Sequence, residues 1–128
     1  MTNDQSQSTR VYDLSIKTLS YSEKVLDLIN VLPSDRVTNI LVSQLVRSAT
    51  SIGANYMEAD GASSRKEFIY RIGLCCKEAQ ETRYWLRLLG RRISENTAIT
   101  ELEKEAHNFV LVFAKSMQTA KRNISNGH

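Results

Sequence analysis

The sequence of 128 residues contains only one proline, two cysteines and five glycines, and it has no long apolar run. An all-β chain needs frequent turns, which so few prolines and glycines do not supply. No apolar stretch approaches the length of about 18 residues that a membrane-spanning helix requires. Residues 1–10 are polar and lack the apolar core of a secretory signal. These shortages favour a helical chain, and we expect it in the cytoplasm.

Recognisable catalytic and metal-binding motifs are also missing. Cys75 and Cys76 are adjacent, and on a helix neighbours point about 100° apart, which does not suit a disulfide. Neither cysteine has the spacing of a metal site. The sequence contains no phosphate-binding loop, dinucleotide-binding fingerprint, serine-hydrolase elbow or zinc-peptidase motif. We therefore expect no catalytic residue, no metal and no cofactor.

Four stretches have the apolar periodicity of amphipathic helices. They are predicted at residues 11–31, from about 35 to a connection at 60–63, from about 65 to 91, and from a start between 98 and 101 to about 124. Pro33 ends the first, because the residue before a proline disfavours helix. Ser34 or Asp35 can cap the second, and Ser64 with Glu67 forms a capping box for the third.

Short links between these stretches force consecutive helices to be antiparallel neighbours. The predicted fold class is therefore all-α, an antiparallel up-down-up-down four-helix bundle over residues 11–124. Residues 1–10 are expected to be a disordered arm, and residues 125–128 a frayed tail. Gly61, at the end of the second helix, suits a left-handed backbone conformation. Gly53, among other small residues of that helix, suits the close approach of another helix.

Polar residues lie on the sides of the second and third helices that should face each other. We interpret them as a paired structural network consisting of Arg47, Asn55, Glu58, Lys77 and Glu81. Asn55 is expected to be buried and to bond to a neighbouring helix. Glu58 is expected to have a basic partner from the first or third helix, with Lys77 as the leading candidate. An enzyme with a carboxylate site near Glu58 and Glu81 stays open as an alternative.

The positive charge of the chain is concentrated between residues 63 and 92, which hold eight Lys/Arg against three Glu. Arg83, Arg87 and Arg91 are spaced four apart and share one helix face, with Arg92 beside it. This stripe has two interpretations. It could bind phosphates of a nucleic acid, or it could be a solvated face whose last arginines offset the helix dipole.

The second and third helices carry more apolar residues than one bundle core needs. The surplus comprises Ile40, Tyr56, Met57, Ile69, Cys76, Trp85 and Leu88. We expect part of it to close a symmetric oligomer, a ring, with Tyr56 or Trp85 near the contact.

A distinctive series of residues lies between Arg47 and Leu89. It consists of Arg47-Ser48, Ser51-Ile52-Gly53-Ala54-Asn55-Tyr56, Glu58-Ala59, Ala62, Ser64, Glu67-Phe68, Lys77-Glu78-Ala79, Glu81-Thr82, Trp85-Leu86 and Leu88-Leu89. The series resembles the bacterial four helix bundle protein family. That family includes proteins encoded in intervening sequences of 23S ribosomal RNA genes and the accessory variability determinant of diversity-generating retroelements. The resemblance extends from about Tyr12 to Ile124.

This resemblance implies an up-and-down bundle that assembles into a ring, typically a homopentamer. In the retroelement branch, it implies a basic ring that binds nucleic acid and a reverse transcriptase, whereas no enzymatic reaction comes with the family. The chain departs from that branch in its net charge of only +3 and its neutral fourth helix. We expect a non-enzymatic, self-associating, nucleic-acid-associated accessory or adaptor protein. A structural oligomer that binds only a protein partner is the other alternative.

Overall fold

The computed structural model describes the backbone of residues 3–125 and the side chains of residues 14–124. Four helices follow one another along this part of the chain: α1 (Asn3–Val31), α2 (Arg36–Asp60), α3 (Arg65–Arg92) and α4 (Thr97–Ser125). No strand occurs among these residues. α3 packs extensively against both α2 and α4, whereas α1 lies mainly on α2 and touches α4 least. The predicted fold class, an antiparallel four-helix bundle, is confirmed.

The outer ends of the chain differ from the expected boundaries. α1 begins at Asn3, so helical backbone covers residues 3–10, where the sequence suggested a disordered arm. Extending an existing helix adds one hydrogen bond per residue and needs no new nucleus, which is why polar residues can continue it. Residues 1–2 of the predicted arm and 126–128 of the predicted tail lie outside the described residues.

Side-chain caps set the start of the two central helices. The Asp35 carboxylate accepts a hydrogen bond from the backbone N–H of Thr38 at 2.9 Å, and this bond lowers the pKa of Asp35. Ser64 Oγ accepts the N–H of Glu67 at 3.0 Å. The Glu67 carboxylate does not return to Ser64, as a standard capping box would. It accepts instead from the N–H and the hydroxyl of Ser63, at 3.1 and 2.9 Å.

The links between the helices contain one further difference from expectation. Gly61 has φ −93° and its N–H donates to the Met57 carbonyl at 3.2 Å, so the predicted left-handed conformation is wrong. A left-handed residue occurs in the link between α3 and α4, where Glu95 has φ 62°. The next residue, Asn96, caps α4 by accepting the N–H of Ile99 at 3.1 Å.

An aromatic group forms the centre of the core. The rings of Phe109 and Phe113 stack with centroids 5.9 Å apart, and Tyr21 meets Phe109 edge-on at 5.4 Å. Tyr56 packs against Phe113 at 6.1 Å and is 6% exposed. Tyr56 is therefore a core residue of one chain, which corrects its assignment to an oligomer contact.

The close approach expected at Gly53 occurs, and the partner is α1. A Cβ atom built on Gly53 would lie 3.4 Å from both Cβ and Oγ1 of Thr18. That distance is an ordinary van der Waals contact, but it leaves no room beyond the first carbon. The α1–α2 spacing is therefore matched to a residue with almost no side chain.

We predict opposite effects for two substitutions of Gly53. Gly53→Ala should raise the free energy of unfolding by up to about 1 kcal/mol, because alanine is the better helix former and its methyl group fits. Gly53→Leu should lower it by about 1–3 kcal/mol through overpacking against Thr18. Urea denaturation measures both. Ala54→Leu is the matched control, since Ala54 is exposed on the same helix. Equal stability of the two leucine variants would contradict the argument.

The sparse contact between α1 and α4 contains one buried hydrogen bond. The hydroxyl of Tyr21 donates to the backbone carbonyl of Leu102 at 2.8 Å, and Tyr21 is fully buried. Burial, together with Glu105 and Glu103 nearby, raises the pKa of Tyr21. The phenol therefore stays protonated and can keep donating.

We predict that Tyr21→Phe lowers the free energy of unfolding by about 0.5–1.5 kcal/mol, the usual net value of one hydrogen bond. Tyr84→Phe, on an exposed ring of α3, should change it by much less. Thermal unfolding of both variants provides the comparison, and equal losses would show that the Tyr21–Leu102 bond contributes nothing specific.

Candidate nucleic-acid interface

The polar residues between α2 and α3 define how the two helices are aligned. Thr82 Oγ1 lies 3.0 Å from Ser48 Oγ, and both residues are fully buried. About one turn further along α2, the Ile52 carbonyl accepts a hydrogen bond from the Cys75 thiol at 3.6 Å. Burial raises the pKa of Cys75 to about 12, so it packs as a protonated thiol. These contacts fix an antiparallel register in which residue 48 faces 82 and residue 52 faces 75.

A charged cluster lies at the edge of this seam. Arg47 forms an ion pair with Glu81 and a second one with Glu78, whose Oε2 is 3.4 Å from Arg47 Nη1. The indole N–H of Trp85 donates to Glu81 at 3.4 Å. The bond from Arg47 lowers the pKa of Glu81. Burial, and then the neighbouring Glu81, raises the pKa of Glu78. The cluster thus joins two of the predicted network residues, Arg47 and Glu81, and adds Glu78.

The other three predicted network residues lie elsewhere. Asn55 is half-buried, but its amide donates to the Ser51 carbonyl of its own helix at 2.9 Å, which corrects the expected bond to a neighbouring helix. Glu58 and Lys77 are both exposed and form no ion pair with each other. The register explains this, because Lys77 faces residues near 50 and Glu58 lies about seven residues, or roughly 10 Å, further along α2.

The same register separates the carboxylates of the open enzyme alternative. Glu81 is held by Arg47, and Glu58 lies eleven positions beyond Arg47 in α2, which is roughly 16 Å along the helix axis. Glu58 and Glu81 therefore do not converge on one site. Within residues 14–124, no group of three or more His, Cys, Asp or Glu side chains is placed to hold a metal ion.

Two of the four arginines in the stripe at the end of α3 are paired with carboxylates of the same chain. Arg87 pairs with Glu103 of α4 at 2.7 Å. Arg92 pairs with Asp35 at 3.0 Å and also donates to the Thr38 hydroxyl. Arg83 is half-buried, whereas Arg91 is exposed and has no ion pair among the described residues. The stripe is thus the side of α3 on which intramolecular ion pairs connect it to α2 and α4.

Five exposed cations without such partners lie at the opposite end of the bundle, which we call the basic end. It consists of the start of α3 and the C-terminal part of α4, with the exposed residues Arg65, Lys66, Lys115, Lys121 and Arg122. None of the five forms an ion pair with another described residue. The antiparallel order of α3 and α4 brings these two segments to the same end.

The sequence contained a signal for the basic end that whole-helix charge sums concealed. Residues 106–128 hold three Lys/Arg and no Asp or Glu, whereas all the acidic residues of α4 precede residue 106. Two of those acids, Glu103 and Glu105, pair with Arg87 and Lys24 across the bundle. α4 is therefore neutralised in its first half and basic in its second.

The fold defines a class of protein, an all-α bundle of four long antiparallel helices with a charged surface as its candidate site. The chain belongs to the family of 23S rRNA-intervening sequence proteins, whose model matches residues 9–114. The predicted family is thereby confirmed. Among residues 3–125, no helix is both long and apolar enough to cross a membrane.

A solved structure resembles the chain over most of its length. It is the 1.70 Å crystal structure of a protein of unknown function from the S23 ribosomal protein family of Bacteroides thetaiotaomicron VPI-5482. The two chains are 29% identical, with a TM-score of 0.75, and the match covers 84% of this chain and 97% of that one. No curated protein matches the chain. The comparisons therefore show family and fold, and they assign no activity.

We predict that Glu78 and Glu81 affect stability in opposite directions. The lowered pKa of Glu81 means that its contribution is present above the ordinary value of 4.5 and is lost as pH falls. Glu81→Gln should therefore cost about 0.5–1 kcal/mol at pH 7, as half-exposed pairs do, and the variant should lose less on acidification. The raised pKa of Glu78 means that the fold disfavours its charge, so Glu78→Gln should keep or raise stability at pH 7.

Chemical denaturation at pH 7 and below 4.5 separates these two effects. Glu101→Gln is the control, because Glu101 is strongly exposed and pairs only with Lys104 one turn away among the described residues. Equal losses for Glu78→Gln and Glu81→Gln at pH 7 would show that the two carboxylates act as equivalent partners of Arg47.

Proposed function

We propose that this protein is a non-enzymatic, self-associating bundle that binds nucleic acid through its basic end and acts as an accessory or adaptor protein. The observation that carries the proposal is the concentration of unpaired cations at that end. Arg65 and Lys66 begin α3, and Lys115, Lys121 and Arg122 lie near the end of α4.

Unpaired cations are the form of charge that suits phosphate binding. A lysine or arginine that neutralises a phosphate releases a condensed counterion, and this release supplies sequence-independent affinity. An arginine already paired with a carboxylate must give up that partner first. For this reason the proposal places the interface at the basic end and not at the arginine stripe, where Arg87 and Arg92 are paired.

Self-association is the second part of the proposal. Ile16, Leu19 and Leu26 are each 45% exposed or more and lie at helical spacing on one face of α1. A monomer does not need such an apolar stripe on its outer surface. We propose that it packs against a second copy of the chain in a closed ring, for which the resemblance favours a pentamer. A ring would repeat the basic end around its axis and raise the local field.

An oligomer that binds only a protein partner would also account for the apolar stripe, but it would give the unpaired cations no role. The basic end therefore favours nucleic acid over that alternative. The enzyme alternative is not supported, because Glu58 and Glu81 are far apart along the bundle.

We predict that the wild-type protein binds a fluorescent oligouridine at low salt. Its affinity should fall steeply as salt rises, with a slope of about −0.7 in log–log terms for each phosphate neutralised. Changing Lys115, Lys121 and Arg122 together to glutamine should weaken binding and flatten the slope by roughly 2. Fluorescence anisotropy over a salt series gives both quantities.

The matched control changes Arg87, Arg91 and Arg92 to glutamine, which removes the same charge from the stripe. It should weaken binding far less, and melting temperatures show whether each variant remains folded. Light scattering on the same samples should return a mass above the 14.5 kDa of one chain. If the wild-type oligomer does not raise the anisotropy of the oligouridine at low salt, nucleic-acid binding is refuted. If the two triple variants lose equal affinity, the location of binding at the basic end is refuted.

A further inference from the structure

A cleft of about 920 Å³ opens at the basic end, between the start of α3 and the C-terminal part of α4. Ser64, Arg65 and Phe68 line it from the α3 side, and Lys115 and Thr119 are among the residues that line it from α4. Its volume falls within the range of small-molecule sites, about 300–1,000 Å³. The cleft is therefore large enough for one nucleotide.

The lining of this cleft combines positive charge with an aromatic surface. Arg65 and Lys115 stand on opposite walls, and no Asp or Glu is among the lining residues. Phe68 is half-buried, packs against the core and lines the cleft as well. Hydroxyl groups of Ser116 and Thr119 add hydrogen-bonding capacity. A planar apolar surface next to two cations is the chemistry that recognises a base together with its phosphate.

The carboxylate of Glu67, which is adjacent in sequence to Phe68, is bonded within the α2–α3 link and does not line the cleft. It accepts from both the N–H and the hydroxyl of Ser63 at 3.1 and 2.9 Å. Those bonds lower the pKa of Glu67 and keep it in the link before α3. Arg65 and Lys115 have no ion pair among the described residues, so both cations of the cleft are available to a ligand.

We infer that the cleft binds one unstacked nucleotide of a single-stranded nucleic acid, with the base against Phe68 and a phosphate between Arg65 and Lys115. The inference rests on the proposed function and deepens it, because it predicts a preference for single strands. Bases in a duplex are stacked on each other and cannot reach a phenyl ring, whereas every unpaired base offers a face that can stack.

The decisive substitution is Phe68→Leu, which keeps an apolar side chain and removes the aromatic face. It should weaken oligouridine binding about tenfold and leave the salt slope unchanged, because stacking releases no counterions. Binding of a duplex of matched length should not change. Tyr70→Leu is the matched control, since Tyr70 is an exposed aromatic residue two positions further in α3 that does not line the cleft.

A second substitution tests the cleft without altering the core. Thr119 is exposed, so Thr119→Glu brings a carboxylate to the acid-free wall and should also weaken single-strand binding, whereas Gln118→Glu on the exposed neighbouring position should weaken it less. Single-strand binding that survives both Phe68→Leu and Thr119→Glu would overturn the cleft while leaving nucleic-acid binding intact.

A titration with uridine monophosphate tests the cleft separately from the proposed function when the protein binds no nucleic-acid strand. If no strand binds to the wild-type oligomer, the proposed function fails. The cleft is then judged by calorimetry with the mononucleotide. Heat of binding that Phe68→Leu and Thr119→Glu abolish would support the cleft as a nucleotide site, and no heat with wild-type protein would overturn it.

Discussion

The alignment of α2 with α3 is the constraint on which the rest of the molecule depends. The buried Ser48–Thr82 contact and the Cys75–Ile52 bond fix which residues of the two helices face each other. A shift of one helical turn would separate Arg47 from Glu81 and remove the Ser48–Thr82 contact. Each hydroxyl would then keep only the carbonyl of its own helix, Leu45 for Ser48 and Glu78 for Thr82. α3 also packs on α4, and the alignment of those two helices brings Glu103 of α4 to Arg87 of α3.

That alignment divides the charge of the molecule between its ends. Glu103 reaches Arg87, and Asp35 reaches Arg92, so two of the four arginines of the stripe are paired with carboxylates from other parts of the chain. The acidic first half of α4 faces this stripe, and its second half, which has no acid, continues to the start of α3. A chain of net charge +3 thus has ion pairs between its helices toward one end and five unpaired cations at the other, where α2 ends with the exposed Glu58 and Asp60. This division exists only because consecutive helices run in opposite directions.

The sequence was sufficient for the fold and insufficient for the site. Periodicity, Pro33 and the caps at Asp35 and Ser64 located the helices, because each of these signals is local. The partners of Asn55, Glu58 and Arg87 depend on the register and on helices distant in sequence, and periodicity does not determine either. Tyr56 was misplaced for the same reason, since its position on α2 did not reveal that Phe113 of α4 would cover it. The acid-free end of α4 was visible in the sequence, but a sum over the whole helix cancelled it.

Screening decides how a low net charge bears on nucleic-acid binding. At physiological ionic strength, the Debye length is about 8 Å, so a phosphate at the surface interacts with the charges around it and hardly with those at the far end of the bundle. Helices of 25–29 residues are roughly 40 Å long, several times that distance. The carboxylates near residues 101–105 therefore do little to offset Lys115, Lys121 and Arg122 for a ligand at the basic end. The modest net charge and the neutral sum over α4 do not count against binding there, because the strand would meet a local excess of cations at the end where Phe68 offers it an aromatic surface.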